Sequence, residues 1–316
     1  MGRRQWLKRP DKQKAKMFFH FTKAPYLFRP WQIVRRIWRG IFPVGADEVE
    51  TVLPWGLPIH INPHETIGRA IWHSGVHDLD VCEALWRLTE PGDIAVDVGA
   101  NIGQMTSLLA LRAGPKGKVF AFEPHPLLFK RLERNAAKWS SRQAMAQLTI
   151  AEVAIGAREG YGFLMTGADF HANEGTAKLV SESTSPDACR TKVTTLDNYL
   201  ANISSVGVLK IDVEGAEWDV FRGAHSMIQK GRIRDILYEC SAESSASIAE
   251  WLQGYGYSIF ILYPGWLRLR LTMFGKEASR KSPVVPTWLA TIAPERALQR
   301  FKKAGWLVLG HNRRCE

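Results

Sequence analysis

The feature that most constrains the fold is a regular alternation of short apolar runs with helical stretches, which begins at Asp93. Short apolar runs bounded by turn residues predict buried strands. The predicted strands are 94–99, 118–123, 148–155, 206–213, 235–240 and 257–263, and the predicted helices between them are 104–112, 125–139, 215–230 and 244–253. Strands separated by helices of ~10–15 residues imply crossover connections and a mostly parallel sheet that is covered on both faces. The chain is therefore expected to be an α/β protein with a doubly wound sheet.

The 316 residues divide into four predicted segments around this pattern. They are a basic, aromatic-rich extension (1–45), a helical or irregular lid-like segment (46–91), the α/β domain (92–265) and a basic C-terminal segment (266–316). A polar stretch at about 156–200 contains two β-like pieces. It is interpreted as an insertion in the domain and not as a second domain.

Charge is distributed unevenly along these segments. Residues 1–40 contain 12 Lys/Arg and one acidic residue, and residues 266–316 contain 11 Lys/Arg and three acidic residues. The part between them has 19 basic and 27 acidic residues, so an acidic body lies between two basic ends. A hydrophobic content of 46% with ordinary Gly and Pro excludes collagen-like, low-complexity and wholly disordered chains.

The basic ends lead to a hypothesis about location. Four widely spaced cysteines and the lack of a CxxC pair favour a reducing compartment. No apolar run reaches the ~18 residues of a spanning helix, and the basic N-terminus lacks a secretory signal pattern. The run WQIVRRIWRGIF from Trp31 predicts an amphipathic helix with basic edges. A cytoplasmic protein is expected, with peripheral contact to an anionic membrane inner face through residues 1–40 and the C-terminal segment as a hypothesis.

The loop Asp97-Val98-Gly99-Ala100-Asn101-Ile102-Gly103 follows the first predicted strand and opens a helix. A dinucleotide site would favour G-x-G-x-x-G with pyrophosphate at the helix N-terminus. Here the spacing is G-x-x-x-G, and Asp97 places a carboxylate where it would repel a pyrophosphate. That carboxylate suits the cationic S-adenosylmethionine, although the loop alone could be an ordinary turn. Glu123 at the tip of the next strand can accept both hydroxyls of a ribose, which favours the adenosine-binding interpretation.

The ordered motifs of the domain resemble those of the FkbM family of S-adenosylmethionine-dependent methyltransferases. The resemblance rests on GDIAVDVGANIGQMTSLLA (92–110), GKVFAFEPHPLLFKRLERN (117–135), VTTLDNYL (193–200), VGVLKIDVEGAEWDVFRGA (206–224) and ILYEC (236–240). It spans about 85–265, and neither basic end belongs to it.

The resemblance implies a Rossmann-like class I methyltransferase fold with a final antiparallel strand, for which 306–312 is the candidate. It also implies that Asp97, Gly99, Asn101 and Gly103 hold the methionine part of the cofactor, Glu123 the ribose, and Glu152 and Ala154 the adenine, with Asp212 and Glu214 beside the methyl group.

Methyl transfer to a hydroxyl requires alignment of the partners and removal of one proton. Asp212 is the first candidate for the general base and Glu239 the second, with Glu214 as a further carboxylate of the group. Asp212 and Glu239 could instead hold Mg²⁺. No third ligand is evident, so a divalent metal is possible but not expected. His73 or His77, in the lid-like segment, could touch the substrate.

The leading functional hypothesis is O-methylation of a hydroxyl on a sugar, glycan or polyketide-like metabolite. A nucleic-acid methyltransferase is one alternative, but the fourth strand ends in D-V-E-G and no nucleic-acid-binding module is present, so a nucleic-acid partner is unlikely on this pattern. A non-catalytic methyltransferase-like scaffold at a membrane is another. A nicotinamide oxidoreductase is disfavoured by Asp97 and the missing central glycine.

Overall fold

The structure is a computed structural model. It describes residues 28–41, 45–167, 170, 173–183, 185, 188–240, 242–265, 267–275 and 286–310. The helices are α1 (Trp31–Ile41), α2 (Thr66–Ser74), α3 (Leu79–Leu88), α4 (Gln104–Ala113), α5 (Pro126–Ser140), α6 (Leu196–Tyr199), α7 (Glu217–Gly223), α8 (His225–Gln229), α9 (Ala242–Gly254) and α10 (Pro294–Lys302).

The strands form three sheets. A hairpin consists of β1 (Val49–Val52) and β2 (Pro58–Ile61). The central sheet contains β3 (Ile94–Val98), β4 (Lys118–Phe122), β5 (Gln147–Ala151), β10 (Val206–Ile211), β11 (Ile233–Glu239), β12 (Ser258–Pro264), β13 (Leu269–Met273) and β14 (Thr287–Thr291). A small sheet contains β6 (Ala154–Ile155), β7 (Gly160–Met165), β8 (Lys178–Val180) and β9 (Cys189–Thr194).

The central sheet has the strand order β13-β12-β14-β11-β10-β3-β4-β5. Strands β11, β10, β3, β4 and β5 are parallel, and β14 runs antiparallel to both of its neighbours. The chain leaves β3 toward β4 on one side, and β10 lies against β3 on the other side. This reversal of strand order opens a crevice at the carboxyl ends of β3 and β10.

Side chains that alternate along the central strands form two apolar cores, one on each face of the sheet. Ala95 and Val208 point to the face covered by α3, α4 and α5, whereas Val96 and Leu209 point to the face covered by α7 and α9. The strand residues of β10 are all buried. Burial on both faces explains why these strands read as continuous apolar runs in the sequence.

The predicted Rossmann-like class I fold is confirmed, but the position predicted for its last strand is wrong. The last strand in chain order is β14, which is antiparallel to both neighbours, and Leu307–Leu309 form a 3₁₀ turn. Residues 311 and 312 of the predicted strand lie outside the described residues. Val308 and Leu309 of this turn are buried, and Glu83 of α3 accepts the backbone N–H groups of Leu307 and Val308 at 3.0 and 2.9 Å. A single helical turn can bury the same apolar residues as a short strand.

Two further predicted elements differ in detail. The predicted helix 215–230 is two short helices, α7 and α8, and the predicted strand 148–155 is divided between β5 and β6. Its second part pairs with β9, so the insertion is continuous with the domain through β6.

The basic C-terminal segment packs on the domain where it is described. Arg296 Nε donates a hydrogen bond to Glu90 at 2.8 Å, and Arg300 pairs with the same carboxylate. Arg268 donates to the Lys302 carbonyl at 2.9 Å. These cations are used to hold α10 against α3 and the sheet.

Candidate active site

A cleft of about 320 Å³ lies at the carboxyl ends of β3, β4, β10 and β11. Its lining residues come from the loops after these four strands, from the N-terminal end of α2, from the segment between α2 and α3, and from the insertion. Ligands of open α/β sheets bind at this position because the loops diverge where the strand order reverses.

The loop after β3 requires glycine at position 99. Gly99 has a φ of +77°, and a Cβ at this position would lie 1.9 Å from the carbonyl oxygen of Asp212. Only a residue without a Cβ lets the β3 loop approach the end of β10 this closely. Asn101 also has a positive φ, and its Oδ1 accepts a hydrogen bond from the N–H of Ile102 at 2.7 Å. This side-chain bond stabilises a conformation that Asn tolerates better than most residues.

Glu123 is a buried carboxylate immediately after β4. Its Oε2 accepts the Asn101 N–H at 2.8 Å and its Oε1 accepts the His125 N–H at 2.9 Å. Burial raises the pKa of Glu123 to about 7, although both N–H groups act to lower it. Each oxygen retains a free lone pair for a further donor. The residue can therefore accept hydroxyl groups of a ligand in the cleft.

Lys210 forms a buried ion pair at the base of the cleft. The Lys210 ammonium donates to the Gly99 carbonyl at 2.8 Å and lies 3.1 Å from Asp97 Oδ1 and 3.4 Å from Asp212 Oδ2. Thr106 donates to the other oxygen of Asp97 at 2.6 Å. Burial acts to lower the pKa of Lys210, but the two carboxylates raise it above its ordinary value. One ammonium thus fixes the β3 loop and the end of β10 together.

Three carboxylates lie near one another at the ends of β10 and β11. Asp212 and Glu214 are exposed, and both line the cleft with Glu239. The pKa of Glu239 is raised to about 7, mainly by burial and to a smaller extent by the negative charges of Asp212 and Asp78. Thr287 Oγ1 donates to Glu239 Oε1 at 2.9 Å. Burial and Asp212 also raise the pKa of Glu214.

The segment before α3 places an imidazole and a fourth carboxylate at the same end of the cleft. His77 Nε2 lies 2.8 Å from Asp78 Oδ2. The Gln104 side chain accepts the His77 N–H at 2.9 Å and donates to the His77 carbonyl at 2.8 Å, which fixes this segment to α4. Burial acts to lower the pKa of His77, but Asp78 raises it above its ordinary value.

Six of the nine residues predicted to lie around the cofactor line the cleft, namely Gly99, Asn101, Glu123, Ala154, Asp212 and Glu214. The other three are placed elsewhere. Asp97 is fully buried behind Lys210, and Glu152 is exposed in the turn after β5. Gly103 caps α4, and a Cβ there would lie 2.7 Å from Leu132 of α5, so the close packing of these helices requires glycine at this position. The alternation of side chains along a strand could not show which of these residues face the cleft and which are buried or point outward.

From the sequence, no role was assigned to Lys210 or Asp78, and no individual residue of the insertion was named. A lysine within the apolar run of β10 is the signal that could have identified Lys210, because a buried ammonium requires counter-charges. The insertion contributes Leu164 and Leu179, which form an apolar wall with Val153 and Ile155. No local pattern indicated that this wall would fold over the cleft.

No group of three His, Cys, Asp or Glu side chains within the described ranges is arranged to hold a metal ion. None of the described helices has the length and apolar character needed to span a membrane.

Comparison with known proteins identifies the family. The model of the methyltransferase FkbM domain matches residues 97–259, which is more than half of the chain. The chain is 29% identical over 245 residues to the 31-O-demethyl-FK506 methyltransferase FkbM of Streptomyces tacrolimicus, covering 68% of this chain and 91% of the relative. It is also 29% identical over 152 residues to the hexuronic acid methyltransferase AglP of Haloferax volcanii, covering 48% of this chain and 57% of the relative.

A crystal structure of a methyltransferase FkbM from Methylobacillus flagellatus is similar over 68% of this chain and 55% of that chain. Its TM-score is 0.42 and its sequence identity is 13%. The family model and the two relatives bear out the resemblance carried by the loop after β3 and the end of β10. S-adenosylmethionine is the methyl donor that membership implies. The chain belongs to the family of methyltransferases that share the FkbM domain.

Proposed function

We propose that the protein methylates a hydroxyl group of a sugar, glycan or polyketide-like metabolite. The observation that supports this most directly is Glu239, a carboxylate with a pKa of about 7 that faces the cleft. A proton acceptor is most effective when its pKa lies near the working pH. Hydroxyl acceptors need such a base, because the alcohol proton must be removed as the new C–O bond forms.

The described residues fit S-adenosylmethionine as the donor. Glu123 would accept the ribose hydroxyls, and Ala154, within the apolar wall, would flank the adenine. Gly99 and Asn101 would hold the methionine part. Asp97 and Gly103 would act as positioning residues, because they shape the loop and do not line the cleft. When bound, this donor supplies an electrophilic methyl group on a sulfonium.

The acid–base step is assigned to the carboxylates at the strand ends. Asp212 is already engaged by the Lys210 ammonium at 3.4 Å, whereas Glu239 has a neutral partner in Thr287. Glu239 is therefore the proposed base, with Asp212 as the alternative. Glu214 would add negative potential that stabilises the positive charge of the donor.

The test measures cofactor binding first and acceptor methylation second. Calorimetric titration should show binding of S-adenosylmethionine and of S-adenosylhomocysteine, with no binding of NAD. Radiolabelled methyl transfer is then profiled against sugars, glycans and macrolides. Tight NAD binding without S-adenosylmethionine binding would refute the proposal, and methylation of RNA alone would replace it with the nucleic-acid alternative.

We also propose that α1 attaches the protein peripherally to an anionic membrane surface. The apolar side chains Trp31, Val34, Ile37 and Trp38 of α1 are exposed, and the two indoles are 71% and 64% accessible. Arg35 is exposed beside them. Aromatic rings favour the headgroup region, and each Lys or Arg near an anionic surface contributes ~1 kcal/mol. The basic excess of residues 1–40 complements such a surface.

Helix α1 rests on α2, whose first residues line the cleft. Arg39 donates to the Trp72 carbonyl and lies 3.4 Å from the centre of its ring. Thr66 and Ile67 of α2 form part of the cleft rim. An acceptor held in the bilayer would therefore be presented close to the methyl-transfer site.

Sedimentation with phosphatidylglycerol vesicles at low salt tests the membrane proposal. The full chain should sediment, and the double variant Trp31→Ser/Trp38→Ser should remain largely in the supernatant. Tyr161→Ser, which removes an equally exposed ring (63%) from the small sheet, is the matched control. Equal sedimentation of the double variant and the wild type, or stronger salt-sensitive binding to RNA than to vesicles, would overturn the proposal.

A further inference from the structure

The cleft is electrostatically asymmetric. We define its acidic end by the four carboxylates Asp78, Asp212, Glu214 and Glu239, which come from the segment before α3 and from the ends of β10 and β11. Asp78, Asp212 and Glu239 also line a small adjoining pocket with Lys210 and Thr287, so these side chains converge on one space.

The cations of the cleft do not balance these charges. Among the described lining residues, only Lys210 and His77 can carry a positive charge. Lys210 is shared between Asp97 and Asp212, and His77 is 2.8 Å from Asp78. Neither lining cation is free to receive an anionic ligand. Lys178 of β8 is exposed and outside the lining, and it acts to lower the pKa of Glu214. The carboxylates also act on one another, since Asp212 raises the pKa of both Glu214 and Glu239.

An anionic acceptor would be repelled at this end. A carboxylate or phosphate next to the reacting hydroxyl would have to be desolvated beside like charges, and neither cation of the described lining is free to receive it. A neutral hydroxyl group can instead donate hydrogen bonds to the carboxylates. A positive centre is attracted by the same potential.

We infer that the acidic end selects acceptors that are neutral around the reacting hydroxyl, such as an unoxidised sugar ring or a macrolide ring, and excludes uronates. This inference rests on the proposed function and narrows its substrate class. Because uronates differ from the corresponding neutral sugars only at one carbon, the comparison isolates charge from shape.

The experiment uses matched pairs of neutral glycosides and the corresponding glycuronides as acceptors for the full chain. We expect at least tenfold faster methylation of the neutral member of each pair that reacts. Asp78→Asn should narrow this preference, whereas Glu250→Gln, which removes an exposed carboxylate of α9 outside the cleft, should not. Faster methylation of the glycuronides, or an unchanged preference in Asp78→Asn, would overturn the inference.

A binding measurement keeps the test decisive if no pair reacts. S-adenosylmethionine and S-adenosylhomocysteine differ by one methyl group and one positive charge at sulfur. At low salt we expect the charged form to bind at least tenfold more tightly, with a smaller ratio in Asp78→Asn and in Glu214→Gln. Equal affinities would overturn the inference of a selective negative potential. Failure to bind either compound would instead refute the proposed function.

Discussion

Replacing Glu239 by glutamine is expected to make the protein more stable at neutral and alkaline pH while it removes most of the activity. Glutamine has nearly the same shape as glutamate and keeps the oxygen that accepts the hydrogen bond of Thr287. The substitution therefore removes the charge without creating a cavity. It also removes the proton acceptor, a loss that typically lowers the rate by ~10²–10⁴-fold.

The size of the expected stability difference follows from the pKa of Glu239, which is about 7 in the folded protein against an ordinary value of 4.5. Below pH ~4.5 the carboxyl group is protonated in both states, and the charge contributes no difference. As the pH rises toward 7, the unfolded state releases its proton first, so the stability of the wild type falls. At about 1.4 kcal/mol per pKa unit, the wild type loses about 3 kcal/mol of unfolding free energy above pH 7. Because part of the side chain contacts water, we expect roughly 2 kcal/mol.

Urea unfolding between pH 4.5 and pH 8.5 measures this difference. The free energy of unfolding of Glu239→Gln should equal that of the wild type near pH 4.5 and exceed it by about 2 kcal/mol above pH 7. Glu250→Gln, at an exposed position of α9 outside the cleft, serves as the control and should show no such trend. A difference between Glu239→Gln and the wild type that does not change with pH would refute the electrostatic reasoning about this site.

Further predictions concern the loop after β3 and its supports. Gly99→Ala should lower both thermal stability and S-adenosylmethionine affinity, whereas Gly92→Ala, with a similar positive φ but no atom within 4 Å of the added Cβ, should cost only about 1 kcal/mol in thermal unfolding. Lys210→Met should destabilise the fold by about 3–5 kcal/mol in urea, because it leaves the buried Asp97 carboxylate without its cation; a loss below 1 kcal/mol would show that the ion pair is dispensable. Glu123→Gln should weaken S-adenosylmethionine binding by about 1–3 kcal/mol in calorimetry, and wild-type affinity should rise as the pH passes through about 7 and the carboxylate ionises. Asp212→Asn should reduce the methyl-transfer rate less than Glu239→Gln does, and the opposite ranking would identify Asp212 as the base.

The local sequence pattern was sufficient to predict the α/β architecture of the domain. Strands buried on both faces have continuous apolar runs, so the chain order of the central-sheet strands from β3 to β12, and of the main helices between them, could be predicted. The glycine spacing and the acidic residues after β3, β4 and β10 likewise predicted the edge of the sheet at which the cleft lies. These features depend on residues close in the chain, and short-range patterns record them directly.

Only the tertiary structure decided which of these residues face the cleft. Asp97 and Gly99 are two residues apart, yet Asp97 is buried against Lys210 while Gly99 lines the cleft, because the chain turns sharply between them. The proximity of Asp78 to Glu239 joins residues about 160 positions apart, and the pKa of Glu239 depends on that proximity and on burial. The sequence by itself thus determined the central-sheet strands from β3 to β12, their order along the chain and the chemical types at their ends. The fold decided the pairing, burial and charge environment of those groups, because these depend on long-range contacts that no local pattern encodes.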